Sequence, residues 1–331
     1  MSFSVNLHFR TALFRQIFAE PFKRTVVFLA YNNQHTMFVN AIEEVGKFTR
    51  PVYTISRIYN QTIINPGAAT LFFVNENGVA VTCKHVIDLI GNRQNINAQY
   101  NNYVSEKAAI GKNQHNKRIT ELAAKYNYKS DSIVQLNEMF VGVTTDATLS
   151  YRWVNHPKYD LSIIIFDNFK NPAYQSHAIF LKDTSVLKQG KNLCRLGYPF
   201  PEFTNFRYNE AEDMIEWTSD GKIETPRFPI DGMLTRHLGS EDGTIIGLEL
   251  STPGLRGQSG GPLFDERGSI CGMQSSTSHL HLGFDMKNFE YRTGGKMINV
   301  TNQPFLHVGH CVHASVIKGF LAENNIKFYE G

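Results

Sequence analysis

The chain has 331 residues, with 33 lysines and arginines against 30 aspartates and glutamates, 42% hydrophobic side chains and 12% aromatic ones. That length accommodates one large or two ordinary domains around a packed core, and a charged fraction of only 19% excludes long disordered tracts. A net charge of +3 without any Lys/Arg run excludes a nucleic-acid footprint, and no apolar stretch approaches the roughly 18 residues of a membrane-spanning helix.

Residues 1–49 read as an N-terminal extension. Its start, M-S-F-S-V-N-L-H-F-R, alternates polar and apolar residues where a secretion signal needs an unbroken apolar run. Phe9, Leu13, Phe14, Ile17 and Phe18 recur at helical spacing and Pro21 closes the segment; residues 24–30 suit a strand and 36–48 a short helix. The extension either packs on the next domain or serves as a regulatory docking element. From Pro51 onward short β-rich runs alternate with turn signals. They fall at 52–58, 71–74, 79–83, 134–141, 161–166, 178–181, 193–197, 244–250 and 269–274. Many short strands without βαβ alternation imply a mainly β sandwich or barrel. Residues 91–130 interrupt this as a polar, Asn-rich insertion ending in a helical face. Residues 278–304 are expected to form a long loop, and 315–324 a terminal helix. Cys83, Cys194, Cys271 and Cys311 are scattered with no C-x-x-C spacing, which suits reduced thiols and a cytoplasmic protein.

The chemistry concentrates in three segments. Gly257-Gln258-Ser259-Gly260-Gly261-Pro262 sets a serine among glycines, where backbone N–H groups of Gly257 and Ser259 are free to turn toward a developing oxyanion. A serine nucleophile needs a base, and the base an orienting acid. Val81-Thr82-Cys83-Lys84-His85 supplies a histidine just after a strand, and Lys158-Tyr159-Asp160-Leu161 an aspartate at the head of another.

With these motifs in the order His, Asp, Ser, the sequence resembles trypsin-like serine proteases of the chymotrypsin fold, in particular the prokaryotic HtrA-like branch, here without the appended PDZ module. The resemblance spans about residues 50–325 and includes the G-S-I-C-G-M return strand and the closing V-H-A-S-V-I-K-G-F-L. It implies two six-stranded antiparallel barrels, the first over about 50–185 with the insertion at 91–130, the second over about 186–314. It further implies a Ser259–His85–Asp160 triad, an oxyanion hole from Gly257 and Ser259, a protein or peptide substrate, and no cofactor or metal. By the same register Pro253, Gly254, Gln274, Ser275, Ser276, Thr277, Gly309, His310 and Cys311 would line the specificity pocket, with Ser275 bonding Asp160. Pro253 stands where the trypsin branch carries an acid, so cleavage after Lys or Arg is disfavoured, and His310 leaves room for a polar or acidic preference. Gln258 replaces the aspartate that receives a freshly cut N-terminus in digestive relatives. Control by loop ordering, or by a protein partner at the extension or the inserted loops, is therefore expected, as for a triggered effector protease.

Three other readings share these residues. G-x-S-x-G is also the nucleophile elbow of α/β-hydrolase esterases, which requires a helix straight after the serine, whereas Gly260-Gly261-Pro262 points to a strand. A silent scaffold on the same fold would keep the motifs without turnover. The histidines at 279, 281, 307, 310 and 313 with Cys311 are zinc-ligand types, but their spacing matches no closed zinc motif and strand geometry separates His310 from His313.

Overall fold

The computed structural model describes residues 37–111, 115–145, 149–167, 169–284, 286–293, 296–302 and 304–331. The helix expected at 9–18 and the strand at 24–30 lie outside them. What is described of the extension is a short helix, α1 (Val39–Gly46), which buries Ala41 and Val45 one turn apart. Phe38 meets Phe264 edge-on with ring centroids 6.3 Å apart, so this helix is seated on the main core.

The first barrel opens on a strand whose later residues alternate buried and half-buried side chains. In chain order it contains β1 (Thr49–Ile58), β2 (Ile64–Phe73), β3 (Val79–Thr82), α2 (Lys84–Gly91), α3 (Arg93–Ala108), α4 (His115–Lys125), β4 (Ile133–Phe140), β5 (Ser150–Asn155) and β6 (Ser162–Asp167). The strands run antiparallel in the order β4-β1-β2-β3-β6-β5. The two end strands meet through side chains: the Phe140 and Tyr151 rings lie 4.9 Å apart, and Tyr151 Oη donates to Glu138 Oε1 at 3.1 Å. Among its described residues the insertion is mainly helical, in α3 and α4. From α3, Asn97 Nδ2 donates to Leu136 O and Asn97 Oδ1 accepts from Leu136 N, both at 2.9 Å. A side-chain amide thereby satisfies the open edge of β4, a position that would otherwise invite another strand.

The second barrel follows with β7 (Ile179–Phe180), β8 (Asn192–Gly197), β9 (Phe206–Asn209), β10 (Met214–Trp217), β11 (Phe228–Gly239), β12 (Ile245–Leu250), β13 (Pro262–Phe264), β14 (Ile270–His281), β15 (Met286–Thr293), β16 (Lys296–Asn302) and β17 (Phe305–His313), then α5 (Ala314–Glu323) and β18 (Tyr329–Glu330). Strands β13-β8-β11-β12-β17-β14 form a ring closed by the β13–β14 ladder. The mainly β, two-barrel architecture implied by the resemblance is therefore present. The expected loop at 278–304 is instead strand: β14 and β17 stay paired out to His281 and Phe305, and β15 pairs with β16 beyond them. The β15–β16 hairpin forms a two-stranded sheet of its own and joins neither barrel's ladder. Side chains of both barrels, among them Phe72, Val81, Ile163, Phe264, Met273 and Ile317, share one apolar cluster, which fixes the seam between the barrels where the motifs meet.

Candidate active site

Strand register brings His85 to Asp160. Thr82 is the partner of Ser162 in the β3–β6 ladder, so the residues just after β3 and just before β6 emerge side by side. Cys83 stays extended and α2 starts at Lys84; burial of Val86, Ile87 and Ile90 turns the His85 ring outward. Asp160 then accepts from three donors: His85 N to Oδ1 at 3.0 Å, His85 Nδ1 to Oδ2 at 2.9 Å and Oδ1 at 3.1 Å, and Ser275 Oγ to Oδ2 at 2.6 Å. Burial alone would raise the pKa of this carboxyl, but the bonds from His85 and Ser275 outweigh it and hold the group at about 2. The carboxylate is ionised at neutral pH, so Nδ1 carries the imidazole proton and Nε2 is the acceptor. The same contact raises the His85 pKa above its usual value against a smaller opposing effect of burial.

The loop between β12 and β13 carries Ser259. Gln258, fully buried, braces it from within: Oε1 accepts from Leu255 N and Nε2 donates to Phe228 O, each at 3.1 Å. Thr70, buried in β2, braces it from the other barrel. Its N–H donates to Ser259 O at 2.9 Å and its hydroxyl to Gly257 O at 2.7 Å. Gly257 has a φ of +90°, and a Cβ there would lie 2.3 Å from Tyr198 O, so only glycine fits. The N–H groups of Gln258, Gly260 and Gly261 all find backbone acceptors. Among the described residues, those of Gly257 and Ser259 do not. His85 hydrogen-bonds only to Asp160 among the described residues, and no bond joins its imidazole to Ser259 Oγ.

Two cavities meet at Ser259 and Arg256. One, of about 610 Å³, is walled by His85, Val86, Leu89, Ala68, Pro199 and Pro201 together with Gly257. The other, of about 440 Å³, is walled by Pro253, Gly254, Gln274, Ser275, Ser276 and Thr277, six of the residues assigned to a specificity pocket from the sequence. Gly309, His310 and Cys311 stand behind that wall. A Cβ on Gly309 would meet Arg195 Nη1 at 2.2 Å, His310 Nε2 lies 3.3 Å from Glu249 Oε2, and the buried Cys311 Sγ lies 3.5 Å from Gln274 Oε1.

The histidines divide rather than cluster. His279 and His307 touch through their Nδ1 atoms, His310 faces Glu249, and His313 caps α5 by accepting from Ser315 N. The metal-ligand types drawn together among the described residues are Cys83, His85 and Asp160. They do not suit a resident ion, because the Cys83 thiol donates to Gln274 O at 3.2 Å and burial, with Asp160 nearby, pushes its pKa well up.

Thr70, Gln258 and Arg195 escaped the sequence reading as functional residues. Only Gln258 left a signal, as an uncharged residue where relatives carry an acid; the others have partners 57 to 187 positions away.

A family model described as "Trypsin-like peptidase domain" matches residues 69–273, more than half of the chain. Among curated proteins none matches. Many solved chains do; one is the crystal structure of the Rv3671c protease from M. tuberculosis in its active form, 12% identical over 90% of each chain, with a TM-score of 0.44.

Proposed function

This chain belongs to the trypsin-like peptidase family, and from that premise we propose that it is a serine endopeptidase using Ser259, His85 and Asp160. Ser259 Oγ attacks the scissile carbonyl as His85 Nε2 takes its proton. Asp160 holds the imidazole in the Nδ1–H tautomer and stabilises the imidazolium that forms. The N–H groups of Gly257 and Ser259 receive the negative charge on the carbonyl oxygen. Collapse expels the amine with a proton from His85, and water resolves the acyl-enzyme by the reverse sequence.

The observation that carries this reading is the pair of unengaged N–H groups on Gly257 and Ser259, where two cavities join, one of them walled by His85. The esterase reading lacks its element, since Ser259 is followed by strand β13 and not by a helix. Labelling with a fluorophosphonate tests the proposal: covalent modification at Ser259, absent in Ser259→Ala and slowed in His85→Ala, supports it. An unlabelled, correctly folded protein refutes it and favours the silent scaffold.

Four free and buried thiols favour a cytoplasmic setting, and no described helix is long and apolar enough to cross a membrane. Control by loop ordering or by a protein partner is part of the proposal, because Gln258 already braces the Ser259 loop without a charged N-terminus. Large activation on trimming residues 1–36 would contradict it.

A further inference from the structure

Hydrolysis assigns the two cavities to the two sides of the scissile bond. His85 delivers its proton to the leaving amine, so the cavity walled by His85 receives the leaving side. The 440 Å³ cavity, which His85 does not line, receives the side chain of the residue whose carbonyl is attacked. No Asp or Glu lines this second cavity, whereas Arg256, His279 and His307 do, all exposed at its rim. Arg256 forms no ion pair among the described residues. The Nδ1 atoms of His279 and His307 face one another, and one proton between them makes one ring a donor and the other an acceptor. The accepting ring carries its N–H on Nε2, which leaves that donor outside the His279–His307 contact.

The floor follows the same pattern. Arg195, fully buried in β8, lies behind Gln274. It donates to Gln274 Oε1 at 2.8 Å and to Thr252 O at 3.0 Å, with no carboxylate in ion-pair range among the described residues. Its Nε is buried without a partner. A buried guanidinium without a carboxylate in contact is costly; Asp231 acts on it only from beyond ion-pair range, and its field reaches the cavity through low-dielectric protein. It also orients Gln274. With Oε1 held by Arg195, the amide nitrogen points to the cavity side, where it donates to Ser276 O at 2.8 Å and sits 2.2 Å from where a Gly254 Cβ would be. Its second N–H remains as a donor at the floor. Thr277 Oγ1 also donates to Gly254 O at 2.8 Å, tying the two walls of this cavity together.

We infer that this cavity selects an acidic residue, aspartate or glutamate, on the acyl side of the cleaved bond. The inference rests on the peptidase reading and adds its substrate class. A carboxylate entering the cavity meets the Gln274 N–H at the floor, Arg256 and the His279–His307 pair at the rim, and the Arg195 field beneath. A lysine or arginine meets the Arg256 guanidinium and finds no Asp or Glu along the lining.

The test uses the full chain and fluorogenic peptides that differ only in Glu, Asp, Gln, Leu or Lys at that position, with rates normalised to Ser259 titrated by fluorophosphonate. The expected result is a kcat/KM at least about tenfold higher for Glu or Asp than for Gln, falling to within about threefold in Arg256→Gln combined with His279→Ala and His307→Ala. Arg195→Met lowers the same ratio; the rim variant, made at exposed positions, keeps the test independent of whether the buried change folds. Equal or faster cleavage after Gln, Leu or Lys with a labelled Ser259 overturns the acidic preference and leaves the peptidase reading standing. Failure of Ser259 to label removes both.

Discussion

Thr70 ties the first barrel to the loop that carries the oxyanion donors, and replacing it tests whether that tie matters for turnover. Thr70→Val keeps the shape and the β-branched fit of β2 but removes the hydroxyl. The Gly257 carbonyl loses its donor at 2.7 Å, and Tyr198 N loses an acceptor at 3.3 Å, both in a fully buried setting. Leaving a buried carbonyl unsatisfied costs about 1–3 kcal/mol. If that cost falls on the loop conformation with the Gly257 and Ser259 N–H groups exposed, its population drops by a factor of about 5 to 150. The expected result is a kcat lowered at least about fivefold with KM little changed, and fluorophosphonate labelling slowed by the same factor yet still complete. Thr70→Ser restores the hydroxyl and returns kcat to within about threefold of the parent. A valine variant that melts earlier but keeps the parent kcat would refute the reasoning, since the hydroxyl would then stabilise the fold without arranging the site.

Other expectations follow from the same geometry. Gly257→Ala places a Cβ 2.3 Å from Tyr198 O at a φ of +90°, so the loop must move; kcat should fall about 100-fold or more, and a variant within threefold of the parent would deny this N–H any role. Asp160→Asn removes the partner that raises the His85 pKa. In the parent, kcat/KM should rise as pH climbs through a value above 6.5, and in the variant this limb should move to lower pH at a rate reduced by about 10⁴. The carboxyl itself is held down from 3.8 to about 2, so it adds roughly 2 kcal/mol of stability above pH 3.8, lost as pH falls toward 2. Denaturant midpoints of parent and Asp160→Asn should therefore converge in acid. Asn97→Ala strips both backbone partners from Leu136 at the edge of β4, and should cost about 1–2 kcal/mol in equilibrium unfolding while leaving kcat unchanged.

Much of the molecule was legible locally. The β-rich runs coincide with β1 to β4, β6 to β8, β12 and β14, half of the described strands, because a buried or half-buried strand writes its pattern directly into the sequence. Strands β5, β9, β10 and β11 were not anticipated; their exposed and half-exposed residues blur the alternation. The strands within 278–304 were hidden because they are defined by backbone pairing, to which composition is blind.

Sequence alone determined the chemistry-bearing segments: a serine framed by glycines, a histidine after one strand and an aspartate before another, each set by its immediate neighbours. Tertiary structure decided what those segments touch. The Thr82–Ser162 register brought Asp160 under His85, Thr70 reached across 187 positions to the Gly257 carbonyl, and Arg195 came to lie behind Gln274. Hydrogen bonds and buried charges act through space over a few ångströms, whatever the separation along the chain, so only the closed barrels could make those residues neighbours.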